Sequence, residues 1–173
     1  MILNSNLCKE IISWHEHYNM MNVRACPDVC EPQGLHKNRL DYNIAQIFRD
    51  KRTQWFFDLL KDFLLTDYPD NRVNEGEFFY LHRWDEGNKF EKHIDKRRED
   101  SWHLVVGASL NDDYEGGKLL CYNPDMEIAS TKGELYKMGA EVLHEVTEIT
   151  SGTRYSFVYF IKQPLLYPKK QLL

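Results

Sequence analysis

Residues 140–162 read AEVLHEVTEITSGTRYSFVYFIK. β-Branched and aromatic residues dominate the stretch, and Ser151-Gly152 interrupts it with a turn signal. Before the turn, the alternation of period two places Val142, His144 and Val146 on one face of a strand. After it, Arg154 and Ser156 share a face in the same way. A guanidinium and a hydroxyl so placed can hold a carboxylate by charge-assisted hydrogen bonds.

Upstream, the same texture extends back to Phe78. FFYLHRW (78–84), WHLVVGASL (102–110), KLLCY (118–122) and ELYKM (134–138) are short β-type runs separated by turn residues. Many short strands at this spacing suggest a sandwich, a jelly roll or a barrel. The first third reads differently. Leu7, Ile11, Ile12 and Trp14 recur at near-helical spacing, and so do Ile44, Ile47, Phe48, Trp55, Phe56, Leu59, Leu60 and Phe63. Two or more helices are expected over 6–66, with a long loop over Met20 to Asn38 that contains CPDVCEPQG. TDYPDNRVNEGE at 66–77 separates this helical region from the strands. Helices that precede strands, instead of alternating with them, favour an α+β arrangement over a doubly wound parallel sheet.

The chain has 173 residues, 42% hydrophobic and 28% charged, and is expected to form a single domain over 1–173. Its 22 Lys and Arg against 27 Asp and Glu give a net charge of -5, which argues against a general nucleic-acid binder. The N-terminal MILNSNLCKEIISWHEHY carries no basic n-region followed by an apolar run, and no window approaches a membrane span. Four scattered cysteines make no disulfide framework, so the expected compartment is reducing and cytoplasmic.

His93 and Asp95 stand two apart in KFEKHIDKRRED, so in extended backbone both leave one face with Ile94 opposite. With His144 they make two imidazoles and one carboxylate, the facial triad of non-haem Fe(II) oxygenases. His-x-Asp alone is a weak signal. Its weight comes from Arg154, ten residues beyond His144.

Four ordered stretches carry a resemblance to a family. They are Arg83-Trp84 through Gly87 and Phe90 to His93-Ile94-Asp95, then Leu110 to Leu119 (LNDDYEGGKL), then Gly133 to His144, and last His144 to Ser156. Over roughly 78–162 the sequence resembles the prolyl 4-hydroxylase-like members of the 2-oxoglutarate/Fe(II)-dependent dioxygenases. The resemblance implies a double-stranded β-helix (jelly-roll) core over 78–162 supported by the helices of 1–66. It implies Fe(II) on His93, Asp95 and His144, with 2-oxoglutarate chelating the metal and its 5-carboxylate held by Arg154 and Ser156. It implies dioxygen as the other co-substrate, succinate and CO2 as products, ascorbate as a reductant, and hydroxylation of a peptide, protein or small-molecule substrate such as a prolyl residue.

The sequence departs from the family in three places. Trp84 stands where the family often has a Tyr whose hydroxyl helps hold 2-oxoglutarate or substrate, and Tyr80, on the same strand face, is a candidate replacement. Met138-Gly139-Ala140 replaces an apolar-Pro-Ser segment, and the connection after Asp95 is short. Two other readings of the function stand beside the enzyme: a non-catalytic β-sandwich module that binds a metal or a dicarboxylate, and a nucleic-acid demethylase of related fold, which the acidic balance disfavours. Elsewhere, His15 and His17 are expected to face solvent from a helix. Cys26, Cys30 and His36 make an incomplete zinc set. Lys96 to Asp100 reads as a solvated loop or a steering patch for an anionic substrate.

Overall fold

The computed structural model describes residues 1–18, 20–22, 43–67, 78–95, 103–122, 125–128 and 131–161. Helix α1 spans Ser5–His17 and α2 spans Gln54–Leu65. The strands are β1 (Met20–Asn22), β2 (Asn43–Phe48), β3 (Phe78–Trp84), β4 (Phe90–His93), β5 (Leu104–Ser109), β6 (Tyr114–Gly116), β7 (Leu119–Tyr122), β8 (Met126–Ile128), β9 (Tyr136–Gly139), β10 (Leu143–Val146), β11 (Ile149–Gly152) and β12 (Arg154–Ile161). Among the described residues no helix is long and apolar enough to cross a membrane.

A large sheet has the order β1-β2-β3-β12-β5-β9, a smaller one β4-β10-β7-β8, and β11 pairs with β6. Every pairing is antiparallel. From β3 to β12 the chain passes back and forth between the two larger sheets, the winding of a double-stranded β-helix, and the fold is α+β as expected.

The helices cover one face of the large sheet. Asn4 caps α1 by accepting from the amides of Asn6 and Leu7, and Cys8, Ile11 and Trp14 form its buried stripe. Phe56, Phe57, Leu60 and Leu64 are the buried stripe of α2. Both pack on Ala45, Ile47, Phe79, Leu81, Leu104, Val106, Ala108, Phe157, Tyr159 and Ile161 of the sheet. Phe56 meets Phe79 and Phe157 edge to face at 5.1 and 5.0 Å. Lys137 of β9 donates to the Phe63 carbonyl and pairs with Asp67, which ties the C-terminal end of α2 to the sheet.

Three readings of the sequence are corrected. Ile44, Ile47 and Phe48 lie in β2, in register with β3, and not in a helix. The spacing of these residues suits either element, and pairing with a central strand decides it. His15 is buried, 1% exposed, with its ring edge-on to Tyr155. The run 140–149 is two strands, β10 and the start of β11, broken at Thr147-Glu148. Cys26, Cys30, His36, the 68–77 break and Lys96 to Asp100 lie outside the described residues.

Candidate active site

His93 ends β4, and β10 sets His144 directly opposite it in the antiparallel ladder. Asp95 follows within two residues, while Ile94 between them points outward and is exposed. The three side chains converge as the alternation predicts. Asp95 Oδ1 lies 3.6 Å from His93 Nε2 and Asp95 Oδ2 lies 3.6 Å from His144 Nε2. The three ligand atoms lie within 4.8 Å of one another, close enough to hold one metal ion.

Both rings are oriented for that task. Nδ1 of His93 is 2.7 Å from the Glu91 carbonyl and Nδ1 of His144 is 2.8 Å from the Val142 carbonyl. A backbone carbonyl fixes Nδ1 as the N–H and leaves the Nε2 lone pair aimed at the centre of the triad. Burial lowers the pKa of His144, against the opposing pull of Asp95, and this keeps its imidazole in the neutral form a metal requires.

Arg154, the first residue of β12, reaches into the same space between the sheets. It is 3% exposed, and Gly117 makes room for it: a Cβ there would stand 2.9 Å from Arg154 Cδ. With φ at +61°, Gly117 also adopts a backbone conformation that favours glycine. Arg154 donates from Nη1 to Ser156 Oγ and from Nη2 to Ser109 Oγ, both at 3.1 Å, with its guanidinium over the Trp84 ring. Trp84 Nε1 donates to Ser156 as well, at 3.1 Å. Tyr114 donates to Ser109. Each serine oxygen therefore already accepts two hydrogen bonds, and its one hydroxyl proton remains for an acceptor. Among the described residues, Arg154 Nε is buried with no hydrogen-bond partner. A buried cation held by neutral hydroxyls is costly unless an anion completes it, so this pocket fits a carboxylate.

Tyr80 pairs with Val158, two residues or about 7 Å along the strands from Ser156, the level that the Arg154 guanidinium reaches. Its ring neighbours are Phe78, His82 and Phe160. Two groups at the site were missed in the sequence, Ser109 and Tyr136. Alternation in WHLVVGASL and ELYKM places them on inward faces, but nothing local marks those faces as the metal side.

The arrangement has known counterparts. The profile of the 2OG-Fe(II) oxygenase superfamily matches residues 79–162, the segment that supplies the triad and Arg154. This chain is similar to the 2OG-Fe(II) oxygenase superfamily over that segment. It is an enzyme of the 2-oxoglutarate-dependent dioxygenase class, whose chemistry uses Fe(II) and 2-oxoglutarate. A search of the curated proteins by sequence finds no match.

Solved structures share the fold at low identity. A prolyl-4-hydroxylase from Pseudomonas putida superposes with a TM-score of 0.72 at 13% identity, covering 94% of this chain and 89% of that one. A prolyl hydroxylase from Trichoplax adhaerens, in complex with a peptide fragment of the hypoxia inducible factor oxygen degradation domain, gives 0.66 at 18%, covering 94% and 83%. A viral collagen prolyl hydroxylase from Paramecium Bursaria Chlorella virus-1, in complex with 2OG, gives 0.64 at 14%, covering 94% and 92%.

Proposed function

We propose that this oxygenase hydroxylates a prolyl residue in a peptide or protein, with His93, Asp95 and His144 as the Fe(II) ligands and Arg154 and Ser156 as the anchor for the 5-carboxylate of 2-oxoglutarate. The observation that carries the reading is that one barrel interior holds both a two-His, one-carboxylate triad with its Nε2 atoms directed inward and a buried arginine held by neutral hydroxyls. Either feature alone suits a binding module, whereas the two together suit a metal and a dicarboxylate that must meet. Fe(II), when bound, supplies the dioxygen chemistry.

The protein's own residues position the reactants. His93, Asp95 and His144 would hold the metal through His93 Nε2, a carboxylate oxygen of Asp95 and His144 Nε2. Arg154, with Ser109 and Ser156 behind it, fixes one end of 2-oxoglutarate by charge-assisted bonds, so that the keto acid end is directed at the triad. Phe90, packed on the His93 ring, and Trp84, Leu119, Val146 and Ile149 make the surroundings of the pocket apolar and exclude water.

An apolar and aromatic group in the interior supports the prolyl assignment. Val142, Val158 and Phe160 pack on the cluster around Cys121 and Met138, and Tyr80 meets Phe160. A free amino acid needs partners for its ammonium and carboxylate, whereas a prolyl ring within a chain needs an apolar and aromatic surface. Tyr80 is accordingly read as a substrate-side residue. Ascorbate is the expected reductant that sustains turnover, and the free, buried Cys8 and Cys121 suit a reducing cytoplasm.

The test is a panel of proline-containing peptides, free amino acids and small acids incubated with Fe(II), 2-oxoglutarate and air. Succinate release stimulated by a peptide, with a product heavier by one oxygen on proline, is the expected result. Stimulation by free amino acids alone would replace the substrate class, and no succinate with any member would favour a binding module.

A further inference from the structure

In the large sheet, Gly107 of β5 pairs with Tyr136 of β9 on one side and with Val158 of β12 on the other. A Cβ on Gly107 would lie 2.4 Å from Tyr136 Oη and 2.6 Å from its Cζ. The phenol therefore lies across the glycine, on the barrel side of the sheet, and crosses β5 toward β12. Its tip is on the strand face that Gly107 shares with Ser109, and Ser109 is already bound to Arg154 Nη2. The ring also packs against both interior clusters, the one around Trp84 and the one around Cys121 and Met138. Burial raises the pKa of this phenol, with the Arg154 guanidinium opposing. The hydroxyl thus lies over β5 at Gly107, two residues from Ser109, which Arg154 holds.

Tyr136 is half-buried, and a tyrosine hydroxyl turned toward the interior ordinarily has a hydrogen-bond partner. Tyr136 has none among the described residues. The Trp84 N–H, at the position where a tyrosine is common in the family, is spent inside the wall on Ser156. We propose that Tyr136 is a co-substrate-binding residue whose hydroxyl donates to the 5-carboxylate of 2-oxoglutarate beside Arg154, supplying from β9 the hydroxyl that Trp84 lacks, and that Gly107 is the residue that admits it. The inference rests on the reading of Arg154 as the carboxylate anchor. It assigns the arginine pocket a donor from a third strand, since Ser109 lies on β5 and Ser156 on β12.

The experiment is calorimetric titration of 2-oxoglutarate into Zn(II)-loaded protein, in which no turnover occurs, for the wild type, Tyr136→Phe, Gly107→Ala and Arg154→Ala. Glutarate titrated into metal-free protein is a second probe, because it offers a carboxylate for Arg154 with no keto acid to chelate a metal. Tyr136→Phe retains the ring, so its thermal midpoint and its Zn(II) affinity should match the wild type. Loss of one hydrogen bond to a charged group should weaken 2-oxoglutarate on the order of tenfold, and glutarate by a similar factor. Gly107→Ala, which displaces the phenol, should weaken both ligands at least as much. Unchanged affinity in Tyr136→Phe overturns the proposal, and so does weakening accompanied by loss of folding or of Zn(II), which would make the role structural. If Arg154→Ala also binds as the wild type does, the reading of the whole pocket fails. If only Tyr136→Phe is neutral, the pocket stands and the assignment of Tyr136 alone is lost.

Discussion

The two faces of the large sheet are built from alternate residues of the same strands and differ in every respect but backbone. On β3, Phe79 and Leu81 face the helices while Tyr80, His82 and Trp84 face the smaller sheet. On β12, Phe157, Tyr159 and Ile161 face the helices while Arg154, Ser156, Val158 and Phe160 face inward. The helix-facing set is almost wholly apolar and buried, and its contribution is area removed from water. The inward set holds a buried guanidinium, serine hydroxyls and the approach to the triad, groups whose burial costs free energy unless each is paired. Side-chain period two lets a single strand carry stability on one face and chemistry on the other, so substitutions one residue apart should separate the two properties.

The largest expected effect is on the inward side. His93→Ala or Asp95→Ala should abolish 2-oxoglutarate turnover, because removal of one ligand disrupts the coordination that places both co-substrates. Thermal unfolding should change little by comparison. Full turnover by either variant would end the triad assignment. Zn(II), Co(II) or Ni(II) should occupy the same site and inhibit, and undiminished activity of zinc-loaded, iron-free protein would contradict the same assignment.

On the opposite face, Phe79→Ala removes a fully buried ring that meets Trp14, Phe56, Phe57 and Phe157. The expected loss is about 3–5 kcal/mol in urea unfolding, the usual cost of deleting a core aromatic. The folded fraction should bind 2-oxoglutarate within about twofold of the wild type, a factor that corresponds to roughly 0.4 kcal/mol. A matching loss of co-substrate affinity would show that the two faces are not separable.

Next in size is Arg154→Ala, which should raise the KM for 2-oxoglutarate from about tenfold to several hundredfold, the range of about 1.5–3 kcal/mol for each hydrogen bond to a charged group. Arg154→Lys should also weaken 2-oxoglutarate, because an ammonium lacks the planar fork. Fe(II) affinity should stay near the wild type in both. Unchanged constants would reduce Arg154 to a structural residue of the strand.

How much of this was legible in the sequence follows from the range over which each pattern acts. His93 and Asp95 were readable because two residues of extended backbone fix a shared face, and Arg154 with Ser156 for the same reason. The pairing of His144 with His93 depends on a register between strands far apart in the chain, and only the resemblance supplied it. Residues 44–48 were misread because apolar spacing over a few positions does not distinguish a helix from a strand, and the deciding partner, β3, lies beyond the intervening helix α2. Ser109 and Tyr136 were missed because their relation to Arg154 is made across strands. Tyr80 was read as a co-substrate group because it shares a strand face with Trp84, and its ring contacts with Phe78 and Phe160 motivate the substrate-side reading set beside it.

The smallest expected effect tests that last point. Tyr80→Phe removes a hydroxyl from the inward face of β3, the face that carries Trp84, and leaves the ring in place against Phe78, His82 and Phe160. The register of β3 with β12 puts Tyr80 beside Val158. The Tyr80 ring packs against Phe78, His82 and Phe160, two residues of register beyond Ser156, the level that the Arg154 guanidinium reaches, and it is read as a substrate-side group. The affinity for 2-oxoglutarate should therefore stay within about twofold of the wild type, a change of roughly 0.4 kcal/mol. Any kinetic change should fall on the KM of the substrate, since Tyr80 and Phe160 line the side of the barrel read as the substrate side. Titration of Zn(II)-loaded Tyr80→Phe with 2-oxoglutarate decides the matter. A tenfold loss there would mean that the co-substrate extends along β3 toward Tyr80, away from Tyr136, and the division of the inward face into a carboxylate end and a substrate end would have to be reversed.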